Sequence, residues 1–323
     1  MRVFVTGGAG FIGLAVVRRL VARGDRVAAV VRDPDRSTAL AELGVEVRQG
    51  DLQRTPAIVD TMRGSDAAIH LAGSYRIGIA ASEHPEMFDA NVGVVHRVLD
   101  AAASVGLERL VHVSTVNVFG DTHGRIVDER YRRDLTEGFL SYYDETKFLA
   151  HRAVEERIGA GAPVVITMPG MVYGAGDHSA FGAQLKGAHD GTLGYVALGE
   201  TGITAVFVDD VAAGIVAALD RGRIGEAYIV AGENTRSRDA MAVAARVGGH
   251  RLPRFEIPTA MLKIGSRAPT ALTRLAGVPD NLREVLAASL GVTYWASSAK
   301  AASELGYTPR DLASGIRSAF GDA

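Results

Sequence analysis

The stretch Val3-Phe-Val-Thr-Gly-Gly-Ala-Gly-Phe-Ile-Gly13 reads as a buried strand that breaks into a helix, and its reading decides the fold. Apolar residues end the strand, Gly7, Gly10 and Gly13 follow at a G-x-x-G-x-x-G spacing, and the helical run Leu14–Ala22 comes next. Each glycine has a separate task in such a turn. Gly7 permits the sharp reversal, Gly10 lets backbone approach a pyrophosphate, and Gly13 lets the helix pack close to the strand. The helix start, with Phe11 and Ile12, offers unpaired N–H groups and the positive end of its dipole to phosphate. Because 38 of the 323 residues are glycine, the spacing is weak alone and takes its weight from the rest of the chain.

A hydrophobic content of 47% supplies a sizeable core for one large or two moderate domains. A formal net charge of −2, with both signs interspersed, argues against a nucleic-acid surface or a basic membrane patch. The absence of cysteine excludes disulfides, thiolate metal sites and cysteine nucleophiles. The nine histidines are scattered, no two within four residues, so no helical H-x-x-x-H metal pair exists and no metal is expected. The first strand begins at residue 2 and no apolar run approaches the roughly 18 residues of a membrane span. The expectation is a cytoplasmic protein without membrane or nucleic-acid partners.

Gly24 stops the first helix, and Arg26–Val31 reads as a second buried strand running into Arg32-Asp-Pro34. In a dinucleotide fold the end of the second strand meets the adenosine ribose, where an acidic side chain receives the 2′-hydroxyl of NAD. Val31 stands there instead and Arg32 follows it, so the turn favours the 2′-phosphate of NADP(H), with NAD(H) still admitted. Val45–Gln49 is a third strand; after it, in Gly50-Asp51-Leu52, the Asp51 carboxylate either receives the adenine amino group or caps a helix. Ala67–Leu71 is a fourth strand, whose end His70-Leu71-Ala72-Gly73 lets backbone lie against a cofactor, His70 itself reading as a packed core histidine.

Residues Ser74 to Glu86 show no period and read as a loop over the site, with Tyr75 and Arg76 as substrate-side candidates. Apolar positions 88, 92, 95, 99 and 102 predict one amphipathic helix, Phe88–Ala103, with Asn91 near its start. Leu110–Val113 is a fifth strand and runs into Ser114-Thr115, which sets hydroxyls at the carboxyl end of a sheet strand, where open α/β sheets bind ligands. Pro163–Met168 is a sixth strand. Met171–Gly202 reads as loop and short helix carrying His178, a substrate-side candidate. Ala205–Leu219 and Ala227–Val230 read as a return to the main sheet, and residues 232–323 as helices of a smaller lobe in which Phe255, Leu262 and Trp295 pack a core.

The helical stretch Ser141–Ile158 carries Tyr143-Asp-Glu-Thr-Lys147, which puts a phenol and an amine on one helix face at i and i+4. A phenol has a pKa near 10, so proton transfer at neutral pH needs its anion favoured by about 3–4 kcal/mol. A neighbouring ammonium beside a bound nicotinamide is of the right size and sign.

The ordered set Thr6-Gly-Gly-Ala-Gly-Phe-Ile-Gly13, Gly50-Asp-Leu52, His70-Leu-Ala-Gly73, Ser114-Thr115, Tyr143-x-x-x-Lys147, Pro169-Gly-Met-Val-Tyr-Gly174 and Phe207-Val-Asp-Asp-Val211 resembles the extended short-chain dehydrogenase/reductase family. Glu304-Leu-Gly-Tyr-Thr-Pro309 extends the resemblance to nearly the full length. It implies Tyr143 as general acid/base, Lys147 as the residue that binds the nicotinamide ribose and lowers the phenol pKa, and Thr115 as the hydroxyl on the reacting oxygen. Asn91, Ser114 and Pro169 fall on the cofactor side. Tyr142, followed at i+4 by Thr146, is a decoy, and Asp209 and Asp210 read as capping and structural residues. The end of strand two and the loop after Gly73 are similar to the dihydroflavonol-reductase-like branch. Thr167-Met168-Pro169 departs from nucleotide-sugar epimerases, which often carry an arginine before the Pro-Gly.

The resulting expectation is an α/β protein: a Rossmann doubly wound parallel sheet over residues 1–170 and 205–231, and a substrate lobe over 171–204 and 232–323. Its activity would be NADP(H)-dependent interconversion of a small-molecule ketone or aldehyde with its alcohol. A nucleotide-sugar epimerase or dehydratase is the alternative, and a non-catalytic NADP sensor binding a protein partner the third reading. The family's homodimer would pair the Phe88–Ala103 and Ser141–Ile158 helices.

Overall fold

The computed structural model describes residues 1–253, 255 and 281–322. In chain order the first half runs β1 (Arg2–Thr6), α1 (Phe11–Ala22), β2 (Arg26–Val31), α2 (Thr38–Glu42), β3 (Glu46–Gln49), α3 (Thr55–Met62), β4 (Ala67–His70), α4 (His84–Phe88), α5 (Val94–Ser104) and β5 (Leu110–Val113). The second half runs α6 (Tyr142–Gly159), β6 (Val164–Pro169), β7 (Met171–Tyr173), α7 (Ala180–His189), β8 (Gly202–Phe207), α8 (Val208–Arg221), β9 (Ala227–Val230), β10 (Glu233–Arg236) and α9 (Ser237–Val247). Beyond residue 280 come α10 (Leu282–Ala287), α11 (Ala299–Leu305) and α12 (Leu312–Phe320).

Seven parallel strands form the main sheet in the order β3-β2-β1-β4-β5-β6-β9, the doubly wound arrangement expected from the sequence. Its central strands are apolar on both faces because helices cover both. Val3, Val5, Val111, Val113 and Val165 meet α1 and α8 on one side, while Phe4, Ala68, Leu110, Val164 and Ile166 meet α3, α5 and α6 on the other. All ligand-facing loops therefore leave from one edge, the carboxyl end of the strands.

Three parts of the chain differ from the sequence reading. Phe88–Ala103 is not one regular helix: α4 ends at Phe88, Asp89–Gly93 forms a π-turn, and α5 follows. The wider turn is held by the Asp89–Arg97 ion pair at 2.8 Å, which lies where a Cβ on Gly93 would collide with it. Second, Ala205–Phe207 does not return to the main sheet. It belongs to β8, which pairs with β7 in parallel and β10 antiparallel in a separate three-stranded sheet; only α8 and β9 go back. Third, the region after residue 232 opens with a strand, β10, whose polar sequence Glu233-Asn-Thr-Arg236 concealed it. Asn234 fixes this strand by exchanging hydrogen bonds with both backbone groups of Ala296, each at 3.0 Å.

Asp210 at the start of α8 is buried and binds the Arg310 guanidinium at 3.0 Å, which ties α8 to the segment before α12, a structural role as anticipated. Trp295 donates its indole N–H to the Thr235 carbonyl at 3.1 Å, whereas Phe255 is 60% exposed and does not pack in a core as expected; Leu262 lies outside the described residues.

Candidate active site

The glycine turn builds a cradle at the end of β1. Gly7 has φ +70°, and a Cβ on it would lie 2.8 Å from the Ala72 nitrogen, so the turn touches the end of β4 backbone to backbone. A Cβ on Gly13 would collide with the Gly7 carbonyl, which is why α1 can lie so close to the turn. Gly10 is the N-cap of α1 and provides no side-chain cap, leaving the N–H groups at the start of the helix directed at whatever sits above the turn. A groove of about 830 Å³ runs from there over the sheet edge, lined by Gly10, Arg32, Asp51, Leu52, Ala72 and Gly73 among others.

Arg32 is exposed at the end of β2 and forms one wall of the groove. Asp51 also faces it, with Oδ1 accepting the Gln53 N–H at 3.0 Å; the carboxylate braces a turn, and the following helix starts beyond it at Thr55. The Leu52 carbonyl accepts the Arg97 Nε–H at 2.8 Å, which ties this wall to α5. The Ala72 N–H donates to Thr6 Oγ1 at 3.3 Å, while Leu71 packs against the core under α1. At Gly73 the backbone runs close to two side chains: a Cβ there would lie 3.1 Å from Asn91 Oδ1 and 3.8 Å from Lys147 Nζ. The Asn91 amide accepts the Ser74 N–H at 2.7 Å and donates to the Ser74 carbonyl at 3.1 Å and to Thr146 Oγ1 at 3.0 Å. It thereby pins the loop after β4 to α6. The uncapped helix start, the glycine cradle and the small residue beneath Lys147 together fit an extended dinucleotide.

Beyond Gly73 the groove meets the chemistry. Ser141 caps α6 by accepting the Asp144 N–H at 3.0 Å, and this fixes Tyr143 and Lys147 on its first turns. Thr115 follows β5 and caps the short turn Val116–Phe119, accepting the Asn117 N–H at 3.2 Å. Its hydroxyl donates to Asn117 Oδ1 at 3.2 Å and stands beside the Tyr143 phenol. Burial raises the phenol pKa, with smaller contributions from Tyr75 and Asp144, and the neighbouring Thr115 hydroxyl pulls it back. The direction is opposite to the lowering that the sequence reading expected from Lys147, which is not among the groups that shift the phenol. Desolvation brings the Lys147 amine down to about 8.

Tyr75 stands edge-on to Tyr143, ring centroids 4.9 Å apart at 86°, and is 53% exposed at the mouth. Ile79, Met87 and Tyr143 form one apolar cluster joined by Ile77 and Tyr142, a wall the sequence reading missed because the loop lacks regular structure. The alternation of Ile77 and Ile79 was the available signal. The α10 segment closes on this wall: Glu284 accepts the Tyr142 N–H at 2.6 Å, and the Asn281 N–H donates to the Gly78 carbonyl at 3.0 Å. Tyr142 itself stacks on His84 at 3.7 Å.

The other candidates lie elsewhere. Arg76 lines the dinucleotide groove and pairs with Glu83 at 2.6 Å. His178 is exposed on the loop before α7. Ser114 is turned away from the groove, its hydroxyl 2.9 Å from His151 Nδ1, and Pro169 is buried at the end of β6 opposite Val230. His70 is packed in the core as expected but only half satisfied: Nδ1 is 2.6 Å from Thr6 Oγ1, while Nε2 has no hydrogen-bond partner among the described residues. Among the described residues no group of side chains is arranged to hold a metal ion, and no helix is long and apolar enough to cross a membrane.

A family model described as NAD dependent epimerase/dehydratase family matches residues 3–231. The chain belongs to this family, the extended short-chain dehydrogenase/reductases, and is an NAD(P)-dependent oxidoreductase in class. It is similar to a 4-hydroxy-2-methyl-3-oxo-4-farnesyl-3,4-dihydroquinoline-1-oxide ketoreductase of Stigmatella aurantiaca, 30% identical over 96% of this chain and 92% of the relative. A 2-alkyl-3-oxoalkanoate reductase of Stenotrophomonas maltophilia is 29% identical over 98% of both chains. Among solved structures, that of gox2253 superposes with a TM-score of 0.84 at 31% identity, covering 98% of this chain and 96% of that one.

Proposed function

We propose that the protein is an NADP(H)-dependent ketoreductase acting on a ketone with an apolar body. The observation that carries this reading is the setting of Tyr143: Thr115 on one side, Lys147 one turn along, and a wall of Tyr75, Ile77, Ile79 and Met87. Relatives that match over nearly their full length are named as reductases of a farnesyl-bearing quinoline ketone and of a 2-alkyl-3-oxoalkanoate, both carrying apolar substituents.

The hydride is what a bound dihydronicotinamide supplies. The glycine turn and the start of α1 hold the pyrophosphate, Arg32 neutralises the 2′-phosphate, and Lys147 with Gly73 orients the ribose. Tyr143 gives its proton to the carbonyl oxygen as that oxygen gains negative charge. Thr115 donates a hydrogen bond that holds the same oxygen in line. The apolar wall excludes water from the reacting carbon and seats the substrate's alkyl or ring portion.

Assay of NADPH oxidation with a series of 2-alkyl-3-oxo acids and apolar cyclic ketones tests the reading. Turnover that rises with alkyl length supports it. Protein that purifies with tightly bound cofactor, converts nucleotide sugars and produces no net absorbance change belongs instead to the epimerase or dehydratase reading. Cofactor binding without turnover on either class of substrate points to the sensor.

A further inference from the structure

The end of β5 and the middle of α6 are joined by a hydrogen bond that the reaction described so far leaves unused. Ser114 and His151 are 5% and 8% exposed, and the serine hydroxyl lies 2.9 Å from Nδ1 of the imidazole. Ser114 directly precedes Thr115, and His151 follows Lys147 by four residues and Tyr143 by eight, on the helix stripe that those two share. The bond therefore joins the segment that carries Thr115 to the helix that carries Tyr143 and Lys147.

Ser114 is also where β5 leaves the sheet. Val113 pairs with Thr167 of β6, and the Ser114 N–H forms the last rung by donating to the Thr167 carbonyl at 2.8 Å. Thr115 lies past that rung, its hydroxyl beside the Tyr143 phenol. Val116 and Phe119 of the turn that follows belong to the same apolar cluster as Ala150 and Val154 of α6, which presses turn and helix together without setting a direction. The polar ties nearer the start of α6 run elsewhere: Thr146 meets Asn91 on the loop after β4 at 3.0 Å, and Asp144 meets Arg133 at 2.6 Å. Neither reaches β5. On the far side of the imidazole, Nε2 lies 3.6 Å from Glu155 Oε1, and the second carboxylate oxygen takes Arg152 at 2.5 Å. A carboxylate facing Nε2 favours the tautomer with its proton there, which leaves Nδ1 to accept the Ser114 O–H.

We propose that His151 is a positioning residue of the active site: by holding Ser114 it fixes the end of β5 against α6 and keeps the Thr115 hydroxyl and the Tyr143 phenol aimed at one substrate oxygen. Its effect on rate rests on the ketoreductase reading, in which the developing alkoxide must meet both hydroxyls at once. A displacement of about 1 Å between such groups can cost about a hundredfold in rate. A buried hydrogen bond holds their separation better than apolar contact, which has no direction. Ser114 and His151 touch neither the substrate nor the transferred proton. Ser114 thereby has a task other than the cofactor contact that the family resemblance implied.

Three substitutions at His151 separate the Nδ1 bond from the rest of the side chain. Asparagine sets its amide where Nδ1 stands, glutamine sets its amide where Nε2 stands, and leucine offers neither. His151→Leu and Ser114→Ala should each lose about tenfold in kcat with KM and NADPH affinity unchanged, and the double variant should lose no more than either single one. His151→Asn should keep most of the rate, and His151→Gln should not. In ligand-free protein the nuclear Overhauser effect between the Thr115 methyl group and the Tyr143 ring should weaken in His151→Leu and Ser114→Ala and persist in His151→Asn. Ser114→Ala, the smaller change, serves if His151→Leu does not fold. A lower melting temperature with kcat and the Overhauser effect unchanged would reduce the pair to a structural contact and overturn the proposal, as would equal rates in His151→Asn and His151→Gln. Wild-type protein that reduces no ketone, with the Overhauser effect still weakened in Ser114→Ala, removes the ketoreductase reading and leaves the positioning contact.

Discussion

Tyr75 meets Tyr143 edge to face, with ring centroids 4.9 Å apart and planes at 86°. The contact places an aromatic edge from the loop after β4 against the phenol that the proposed reaction uses, while Tyr75 remains 53% exposed at the mouth. Such pairs are worth about 0.5–1.5 kcal/mol beyond their buried area, which corresponds to roughly a two- to tenfold change in an equilibrium. Tyr75→Ala should therefore raise KM for apolar ketones by about two- to tenfold and leave NADPH affinity unchanged. An equal loss of NADPH affinity would assign Tyr75 to the cofactor rather than to the substrate.

Tyr143→Phe keeps the ring and its apolar neighbours but removes the proton. The variant should bind NADPH as the parent does and lose about a thousandfold in kcat, within the range for removal of a general acid. Fluorescence titration with NADPH and steady-state rates measure the two quantities separately. Retained turnover would take the phenol out of its assigned role.

Arg32 is the single basic side chain on which the proposed NADP preference rests, exposed where the groove passes the end of β2. Arg32→Ala should weaken NADPH by about 1.5–3 kcal/mol, the value of a hydrogen bond to a charged group, and leave NADH nearly untouched. Calorimetric titration with both nucleotides decides it; equal losses for the two mean that Arg32 does not meet a 2′-phosphate.

Much of this architecture was legible because it depends on local pattern. The run from Val3 to Gly13 carries strand, turn and helix in one stretch, and the spacing of Tyr143 and Lys147 on α6 fixes their common face. The second sheet was not legible, since β10 is polar in sequence and is a strand only because β8 and Ala296 give it partners. The π-turn at Asp89–Gly93 was hidden for the same reason: its cause is an ion pair between residues eight positions apart. The histidine pair was also out of reach, because His70 and His112 are remote in sequence and only the parallel register of β4 and β5 brings them together. The direction of the Tyr143 shift depends on burial, a property of the finished fold.

Those histidines make a pH prediction whose sign is fixed. Burial, with Lys147 adding to it, lowers His70 to about 3 and holds His112 well below its usual value, where His70, Lys147 and His151 also act. An unfolded chain takes up protons on both near pH 6.5, whereas the fold refuses them. The unfolded state thus binds more protons below that pH, and the stability fully present above it is lost as pH falls from about 6.5 toward 3. Each histidine contributes a slope approaching about 1.4 kcal/mol per pH unit. Glu155, lowered to about 2 chiefly by the His151 ring 3.6 Å away, adds loss in the same direction only below its ordinary range near 4.5. Urea denaturation of ligand-free protein at pH 7, 6 and 5 should show the decline, and His70→Asn should flatten it. An unchanged slope in that variant would refute the assignment.

The buried pair of Arg133 and Asp144 gives the clearest stability test. Arg133 Nη1 lies 2.6 Å from Asp144 Oδ1 and Nη2 donates to Oδ2 at 3.1 Å, with side chains only 6% and 2% exposed. Asp144 also accepts the Leu140 N–H at 3.0 Å, so one carboxylate ties the loop before α6 to the helix turn that carries Tyr143. The guanidinium packs over Phe139 at 4.7 Å and Phe148 at 5.5 Å, which leaves it little water if its partner is removed. Asp144→Ala should cost about 3–5 kcal/mol because it strands a buried charge, whereas the pair replaced together by apolar residues should cost far less. Denaturation of Asp144→Ala, of Arg133→Leu and of the double variant completes the cycle. A double variant as unstable as the sum of the singles would mean that the two side chains do not stabilise the fold as a pair.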